Sequence, residues 1–347
     1  MHRILALLLL VPTTAACARP HAGGDPPAAA ADAGTASDAS TAGVGLVGEK
    51  SLNAGVPGSE DERPVLGQVA RARLLDDLAW LADDARGGRG VGTPENAAVR
   101  DWIAGRFVEL GLETIGESHV QPFETRRTKG ANVVGVIEGT SGSDRTIVIT
   151  AHFDHLGTRD GVVFNGADDN ASGTAALLAA ADWFRTNRPT FRLVFVALDA
   201  EEHGLQGARA FVASAPIELD AMAVNVNMDM VGRNERGELY VSGTFHTPEL
   251  VPILEPVIAS APVRLVFGHD RPGSGSDDWT HQSDHAAFHD AGIPFLYFGV
   301  EDHDDYHRPT DDLSGIQPEF FVGATESVIA TIEALDAAMD GIPPRRR

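Results

Sequence analysis

The chain reads as an α/β protein, with a mixed, mostly parallel central sheet and helices on both faces. Three observations predict this. Short runs rich in β-branched residues recur at 132–137, 146–150, 193–198, 222–228, 239–242, 263–267 and 295–298. Segments with helical spacing of apolar residues lie between and around them. Hydrophobic residues make up 43% of the 347, enough to cover both faces of such a sheet.

The elements follow in chain order. Leu74, Leu75, Leu78 and Leu81 keep the spacing of one helix face. Thr93 is a helix N-cap with Pro94 at the first position of a second helix; Val99, Ile103, Phe107 and Leu110 give it an apolar stripe, and Gly111 ends it. The strands at 146–150 and 193–198 are separated by an Ala-rich helix over 172–185. Further helices are expected over 248–260 and 318–339, and there is no internal repeat. The stretch 113–130 is too short for an inserted domain.

Composition narrows the function. Fifty acids against 27 Lys plus Arg give a net charge of −23, which repels phosphate backbones and makes nucleic acid a poor partner. One cysteine, Cys17, excludes thiolate zinc fingers, iron–sulfur clusters and dithiol chemistry. Any metal is therefore held by nitrogen and oxygen, for which 13 histidines and 50 carboxylates are present.

The first 62 residues differ from the rest. Arg3 precedes an unbroken apolar run over 4–11, far short of the ~20 residues a membrane span needs, so 1–16 reads as a signal peptide. Thr14-Ala15-Ala16-Cys17 resembles a bacterial lipoprotein cleavage site, which would make Cys17 the lipid-bearing N-terminus. The alternative is an ordinary secreted protein cut near Ala16. Residues 17–62 contain no aromatic and are rich in Ala, Gly, Pro, Ser and Thr, the composition of a flexible tether. Within it Gly43, Gly45 and Gly48 match G-x-G-x-x-G without the strand and helix that motif needs, so no nucleotide cofactor is expected. The expected organisation is 1–16 signal peptide, 17–62 tether, 63–341 a single domain, and 342–347 a basic tail.

In α/β sheets ligands bind beyond the carboxyl ends of the strands. Metal-competent clusters stand there: Ala151-His152-Phe153-Asp154-His155 after one strand, Asp199-Ala200-Glu201-Glu202-His203 after another, and Asn227-Met228-Asp229 at the end of a third. Gly166-Ala167-Asp168-Asp169-Asn170-Ala171-Ser172-Gly173 lies between the first two, before a helix. With SDHAAFHDAGIP and YHRPTDD further on, these motifs resemble, in order and over roughly 90–341, the co-catalytic di-zinc aminopeptidases, relatives of glutamate carboxypeptidase.

That resemblance implies a zinc-dependent exopeptidase fold and two zinc ions. Asp169 bridges them, His152 and Asp229 complete one, and Glu202 and His307 the other. Glu201 is the general base, and Asp154 orients His152. It also implies metal-assisted hydrolysis at a free N-terminus and a cis Asp169–Asn170 peptide. Ser283, Asp284, His285 and Tyr306 are carried over as substrate-binding residues. Imidazole plus carboxylate suits zinc, and a zinc ion brings the pKa of water to roughly 7. Glu201 and Glu202 would face opposite ways in a strand, so a turn past the strand end is expected to let one bind metal while the other faces water.

Other readings stay open. His303 competes with His307 as ligand. The family's oxyanion-binding Tyr has no counterpart in 268–282, leaving His281 or His285 as substitutes. His285 and His289 have the spacing of H-E-x-x-H, but Ala286 stands where its Glu must be. The acidic loop of Glu301, Asp302, Asp304 and Asp305 either attracts a substrate ammonium or is simply solvated. No G-x-S-x-G occurs, so a serine-elbow hydrolase has no support. The alternative functions are a single-zinc glutaminyl cyclase-like acyltransferase, a zinc carboxypeptidase, and an inactive surface binding module. The location implied by Cys17 is the cell envelope, lipid-anchored outside the cytoplasm.

Overall fold

The computed structural model describes residues 66–126 and 128–346. The expected signal peptide, Cys17 and the whole of the expected tether lie outside the described residues.

Helix α1 (Arg71–Leu81) buries Leu74, Leu78 and Leu81. Helix α2 (Pro94–Leu110) starts as its sequence predicts: the Thr93 hydroxyl accepts from the Asn96 N–H at 3.1 Å, and Gly111 ends the helix at φ 73°. The strands are β1 (Val120–Glu124), β2 (Lys129–Ile137), β3 (Thr146–His152), β6 (Arg192–Leu198), β7 (Met222–Met228), β8 (Glu238–Ser242), β9 (Arg264–Phe267) and β10 (Phe295–Gly299); β4 (Gly157–Arg159) and β5 (Val162–Phe164) form a separate hairpin. The remaining helices are α3 (Gly173–Thr186), α4 (Gln206–Ala213), α5 (Val251–Ser260), α6 (His285–Asp290) and α7 (Pro318–Ala337).

The eight strands run in the order β1-β2-β6-β3-β7-β10-β8-β9. The central four, β6, β3, β7 and β10, are mutually parallel, while β1, β2 and β8 pair antiparallel with neighbours. Strand alternation builds two cores. In β6, Leu193, Phe195 and Ala197 join the core that includes residues of α1, α2, α3, α5 and α7. Val194, Val196 and Leu198 join the core on the opposite face, with Ala208 and Phe211 of α4 and Phe288 of α6. A strand buried on both faces reads as a continuous apolar run, which is why the central strands were legible in the sequence.

Five elements were not predicted: β1, β4 and β5 of the separate hairpin, α4, and α6. Each is short, and β1 is an edge strand carrying Pro122 with no buried residue. Of the expected basic tail, residues 342–346 pack on the domain. Ile342 is buried, Arg345 Nε donates to Ala291 O at 2.6 Å, and the Arg346 N–H donates to Gly292 O at 2.8 Å. Among the described residues no helix is long and apolar enough to cross a membrane.

Candidate metal centre

Because β3, β6 and β7 are parallel and adjacent, their carboxyl ends deliver His152, the 199–202 segment and Asp229 to one edge of the sheet. The fourth contributor is the turn before α3. Its backbone bends at Gly166 (φ 54°), where a Cβ would lie 2.0 Å from Asp169 O and 2.5 Å from the His155 ring, so only glycine fits. The Asp169–Asn170 peptide is cis, as the resemblance implies. Asn170 ties this turn to β7: its Nδ2 donates to Met228 O at 2.9 Å, and its Oδ1 accepts from the Met230 N–H at 3.3 Å.

Two groups of donors result, sharing Asp169. In the first, His152 Nε2 lies 3.2 Å from Asp229 Oδ1 and 3.4 Å from Asp169 Oδ1. In the second, His307 Nε2 lies 3.1 Å from Asp169 Oδ2 and 3.2 Å from Glu202 Oε2. The structure adds His155 to this second group, a residue that sequence reasoning missed: its Nδ1 is 2.8 Å from Glu202 Oε1 and 3.7 Å from Asp169 Oδ2. The signal was present in the AHFDHLG motif, where a second imidazole follows Asp154. His303 turns away from the centre, its Nε2 resting 3.2 Å from Asp168 Oδ2.

The donors fit a divalent metal. Asp169 Oδ2, Glu202 Oε1 and both ring nitrogens of His155 are buried and crowd one another without a well-aligned hydrogen bond. Buried polar atoms seldom remain so, and carboxylate oxygens facing imidazoles are the donor set zinc takes. Burial alone would raise the Asp169 carboxyl, but the His155, His152 and His307 imidazoles hold it well below the usual carboxylate range. Glu202 is likewise brought down to about 2, His155 and His307 outweighing burial. His307 rises to about 10 against Asp169 and Glu202. The centre is thus a concentration of negative charge suited to a cation.

Glu201 belongs to neither donor group. Beyond β6 the chain turns at Ala200 (φ 61°), and the Gly204 and Leu205 amides both donate to Glu201 O, so the two glutamates leave the strand and point apart. No helix begins at the pair; α4 starts at Gln206. Burial pushes the Glu201 carboxyl well up; His152 opposes, while Asp284, Asp229 and Glu202 push further. Asp154, fully buried, does more than face His152 at 3.7 Å: its Oδ1 accepts the Glu201 N–H at 3.0 Å and its Oδ2 the Glu202 N–H at 3.3 Å. The nitrogen His152 Nδ1 is held by the Asp154 carbonyl at 3.1 Å. Asp311 does the same for the Asp169 turn, accepting from the Asp168 and Asp169 amides at 3.0 and 3.1 Å.

The four residues carried over as substrate-binding divide. Ser283, Asp284 and His285 are buried and do not line the cavity beside the centre. Ser283 Oγ donates to Asp229 Oδ2 at 2.7 Å, and His285 Nε2 sits 2.9 Å from Trp279 O. Tyr306 lines the cavity, with Asp169, Glu201, Asp229, Met230, Trp279, Gln282, Tyr297 and Asp302. His281 is exposed beside Asp290 and His285 is enclosed, so neither reaches the cavity as an oxyanion donor. Tyr297 and Tyr306, both outside 268–282, line it. In the acidic loop, Glu301 pairs with Arg236 and Asp305 with Arg233, leaving Asp302 to face the cavity.

Comparison with known proteins agrees with this geometry. The profile of Peptidase family M28 matches residues 132–332, more than half of the chain. A probable zinc metalloprotease of Pyricularia oryzae is 32% identical over 208 residues, covering 51% of this chain and 39% of the relative. Aminopeptidase YwaD of Bacillus subtilis is 31% identical over 212 residues, 58% of this chain and 44% of the relative. The matches span from 31% to 52% of the curated relatives' lengths. Among solved structures, a leucine aminopeptidase precursor from Bacteroides thetaiotaomicron superposes with TM-score 0.62 at 18% identity, covering 78% of this chain and 99% of that one. The glutaminyl cyclase of Porphyromonas gingivalis superposes with TM-score 0.63 at 17% identity, 76% and 98% covered, so the fold is common to both activities. The chain belongs to Peptidase family M28.

Proposed function

We propose that the protein is a zinc-dependent aminopeptidase holding two zinc ions and hydrolysing the first peptide bond of peptides with a free N-terminus. The observation that carries this is the pair of donor groups joined at Asp169, with Glu201 beside both and bound to neither. His152 and Asp229 would hold one ion, Glu202 with His307 and His155 the other, and Asp169 both. Zinc so held supplies Lewis acidity and brings the pKa of water to roughly 7. Glu201, its carboxyl raised by burial, is suited to take a proton from the attacking water and return it to the leaving amine. Tyr306 is kept protonated by burial and by Asp169 and Asp229, so its hydroxyl donates a hydrogen bond within the cavity where oxyanion charge develops. Tyr297, buried among the same charges, also keeps its proton, which it donates to Asp229 O at 3.3 Å. Asp302 provides a carboxylate on the cavity wall for a substrate ammonium.

A panel of amino-acid anilides, each free and N-acetylated, tests this. Hydrolysis of the free forms only, abolished by chelator and restored by zinc, is expected, with two zinc ions per chain by elemental analysis. Cyclisation of N-terminal glutamine with one zinc per chain and no anilide hydrolysis would replace this reading with the cyclase. We also propose that the enzyme works outside the cytoplasm, anchored through Cys17, on the strength of the Thr14-Ala15-Ala16-Cys17 sequence. Lipid labelling lost in C17S, with release of the protein from membranes, is the expected result; labelling unaffected by C17S refutes it.

A further inference from the structure

Among the described residues Arg89 is the largest polar side chain with no exposure at all, and its guanidinium makes no ion pair. Every hydrogen bond it donates goes to a backbone carbonyl. Nε reaches Phe153 O at 2.7 Å, Nη1 reaches Asn165 O at 2.6 Å and Leu81 O at 2.9 Å, and Nη2 reaches Gly166 O at 2.9 Å. A buried cation without a carboxylate partner is costly to a fold and calls for an explanation.

The carbonyls it chooses are informative. Phe153 lies between His152 and Asp154. Asn165 and Gly166 lead directly into the turn that carries Asp169. The main chain of Arg89 adds to this, since its carbonyl accepts from the His155 N–H at 3.4 Å and from Asn96 Nδ2 at 3.1 Å. Asn96 Nδ2 also donates to Asp199 Oδ1 at 3.0 Å, and Asp199 precedes the Glu201–Glu202 pair. One residue and its immediate partner therefore join the three segments that supply His152, His155, Asp169 and Glu202. The turn is built for this. At Gly88 (φ 66°) a Cβ would lie 2.3 Å from Phe164 O and 2.5 Å from Gly157 O, so only glycine lets the backbone press against the β4–β5 hairpin and send Arg89 inward. The segment lies outside 132–332, the stretch matched by the family profile.

Burial brings the guanidinium down to about 10, and the carboxylates that resist this most are Asp169, Asp311, Asp154 and Glu202. Arg89 is thus charged at neutral pH and is felt by the same acids that crowd the centre.

We propose that Arg89 is a positioning residue for the metal centre: a rear clasp, with Asn96, that holds the His152–His155 loop, the Asp169 turn and the Asp199–Glu202 turn at metal-binding separation. This rests on the centre holding zinc. The clasp acts before any substrate arrives, so its effect is read on metal binding rather than turnover.

The test uses the full chain, stripped of metal and titrated with zinc against a chromophoric chelator, and with cobalt followed by visible absorption. The variants are R89K, R89M and N96A, with R71M, which removes an exposed Arg–Glu pair, as control. Loss of partners that orient metal ligands weakens metal binding by about 10–100-fold. R89K, which keeps the charge but not the planar fork, is expected to keep the wild-type far-UV spectrum, to bind zinc 10-fold or more weakly, and to show an altered cobalt spectrum. N96A is expected to show a smaller loss in the same direction, and R71M none. If R89M fails to fold, R89K decides the matter. Zinc affinity and cobalt spectrum unchanged in R89K would overturn the proposal. So would an unfolded R89K, because the residue would then hold the whole domain rather than the centre. A wild-type chain that binds no zinc would instead sink the peptidase reading, and the two failures are separable.

Discussion

Replacing Glu201 with Gln separates catalysis from metal binding and stability. Its side chain is in neither donor group, and its backbone is fixed by the Asp154 carboxylate, which accepts its N–H at 3.0 Å whatever side chain it carries. Zinc content is therefore expected to stay at the wild-type value. A general base contributes about 10²–10⁴ in rate, so kcat should fall by that factor, about 3–5 kcal/mol in the barrier, with KM little changed. Stability should move the other way in the metal-free protein. Burial holds the Glu201 carboxyl above its ordinary 4.5, and Asp284, Asp229 and Glu202 add repulsion. An acid raised on folding destabilises the fold as pH rises past its unfolded pKa, and the penalty is absent below it. Gln removes the penalty. If the gain is about 1 kcal/mol, Tm rises by about 2–4 °C for a domain of this size. E201Q stripped with chelator should thus melt higher than the wild type at pH 8 and equal to it below about pH 4.5. Scanning calorimetry at the two pH values and anilide turnover at pH 8 measure both arms. A Gln variant with more than a tenth of wild-type kcat would refute the base assignment. A metal-free melt lower than wild type at pH 8 would refute the charge argument.

Three further outcomes are expected. D169N should lose both zinc ions together, because both donor groups share that carboxylate; one tightly held zinc by elemental analysis would mean the groups are independent. Glu326, fully buried in α7, accepts the Leu66, Gly67 and Gln68 amides at 2.7, 2.8 and 3.1 Å, so E326A leaves three donors without it and should cost about 2–4 kcal/mol in urea unfolding, a loss under 0.5 kcal/mol being evidence that water replaces the carboxylate. Asp77 is raised by burial from 3.8 to about 6 despite Arg106 at 2.8 Å. Its contribution is complete below pH 3.8 and is lost as pH rises through 6, so the metal-free wild type should lose up to about 3 kcal/mol across that window relative to D77N, and parallel pH profiles would contradict this.

Much of the fold was legible because local physics dictates it. Thr93, Pro94 and Gly111 mark the ends of α2, and the buried run Met222–Met228 is strand β7 end to end. Edge strand β1 was not legible, since it has neither an apolar run nor a buried face. At the centre, motif spacing pointed to His152, Asp169, Glu202, Asp229 and His307, and the structure brings them within hydrogen-bonding distance of one another. It could not tell that Ser283, Asp284 and His285 are buried, with Ser283 bonded to Asp229 and His285 to the Trp279 carbonyl. Their position near the centre follows from the motif, but Ser283 is directed by its bonds to Asn227 of β7 and to Asp229, and His285 by stacking on Phe295.

By itself, then, the sequence determined the α/β class, the order of the strands' loaded carboxyl ends, and which residue types could hold a metal. These are consequences of periodicity, caps and the reach of a short segment. Tertiary structure decided which of several histidines meet Asp169, that Asp154 grips the amides of both glutamates, and that Arg89, some sixty residues upstream of Phe153 in the chain, closes the centre from behind. Those are through-space contacts between segments brought together by the parallel strands and the turn before α3, and no local pattern encodes a contact whose partner lies on another strand.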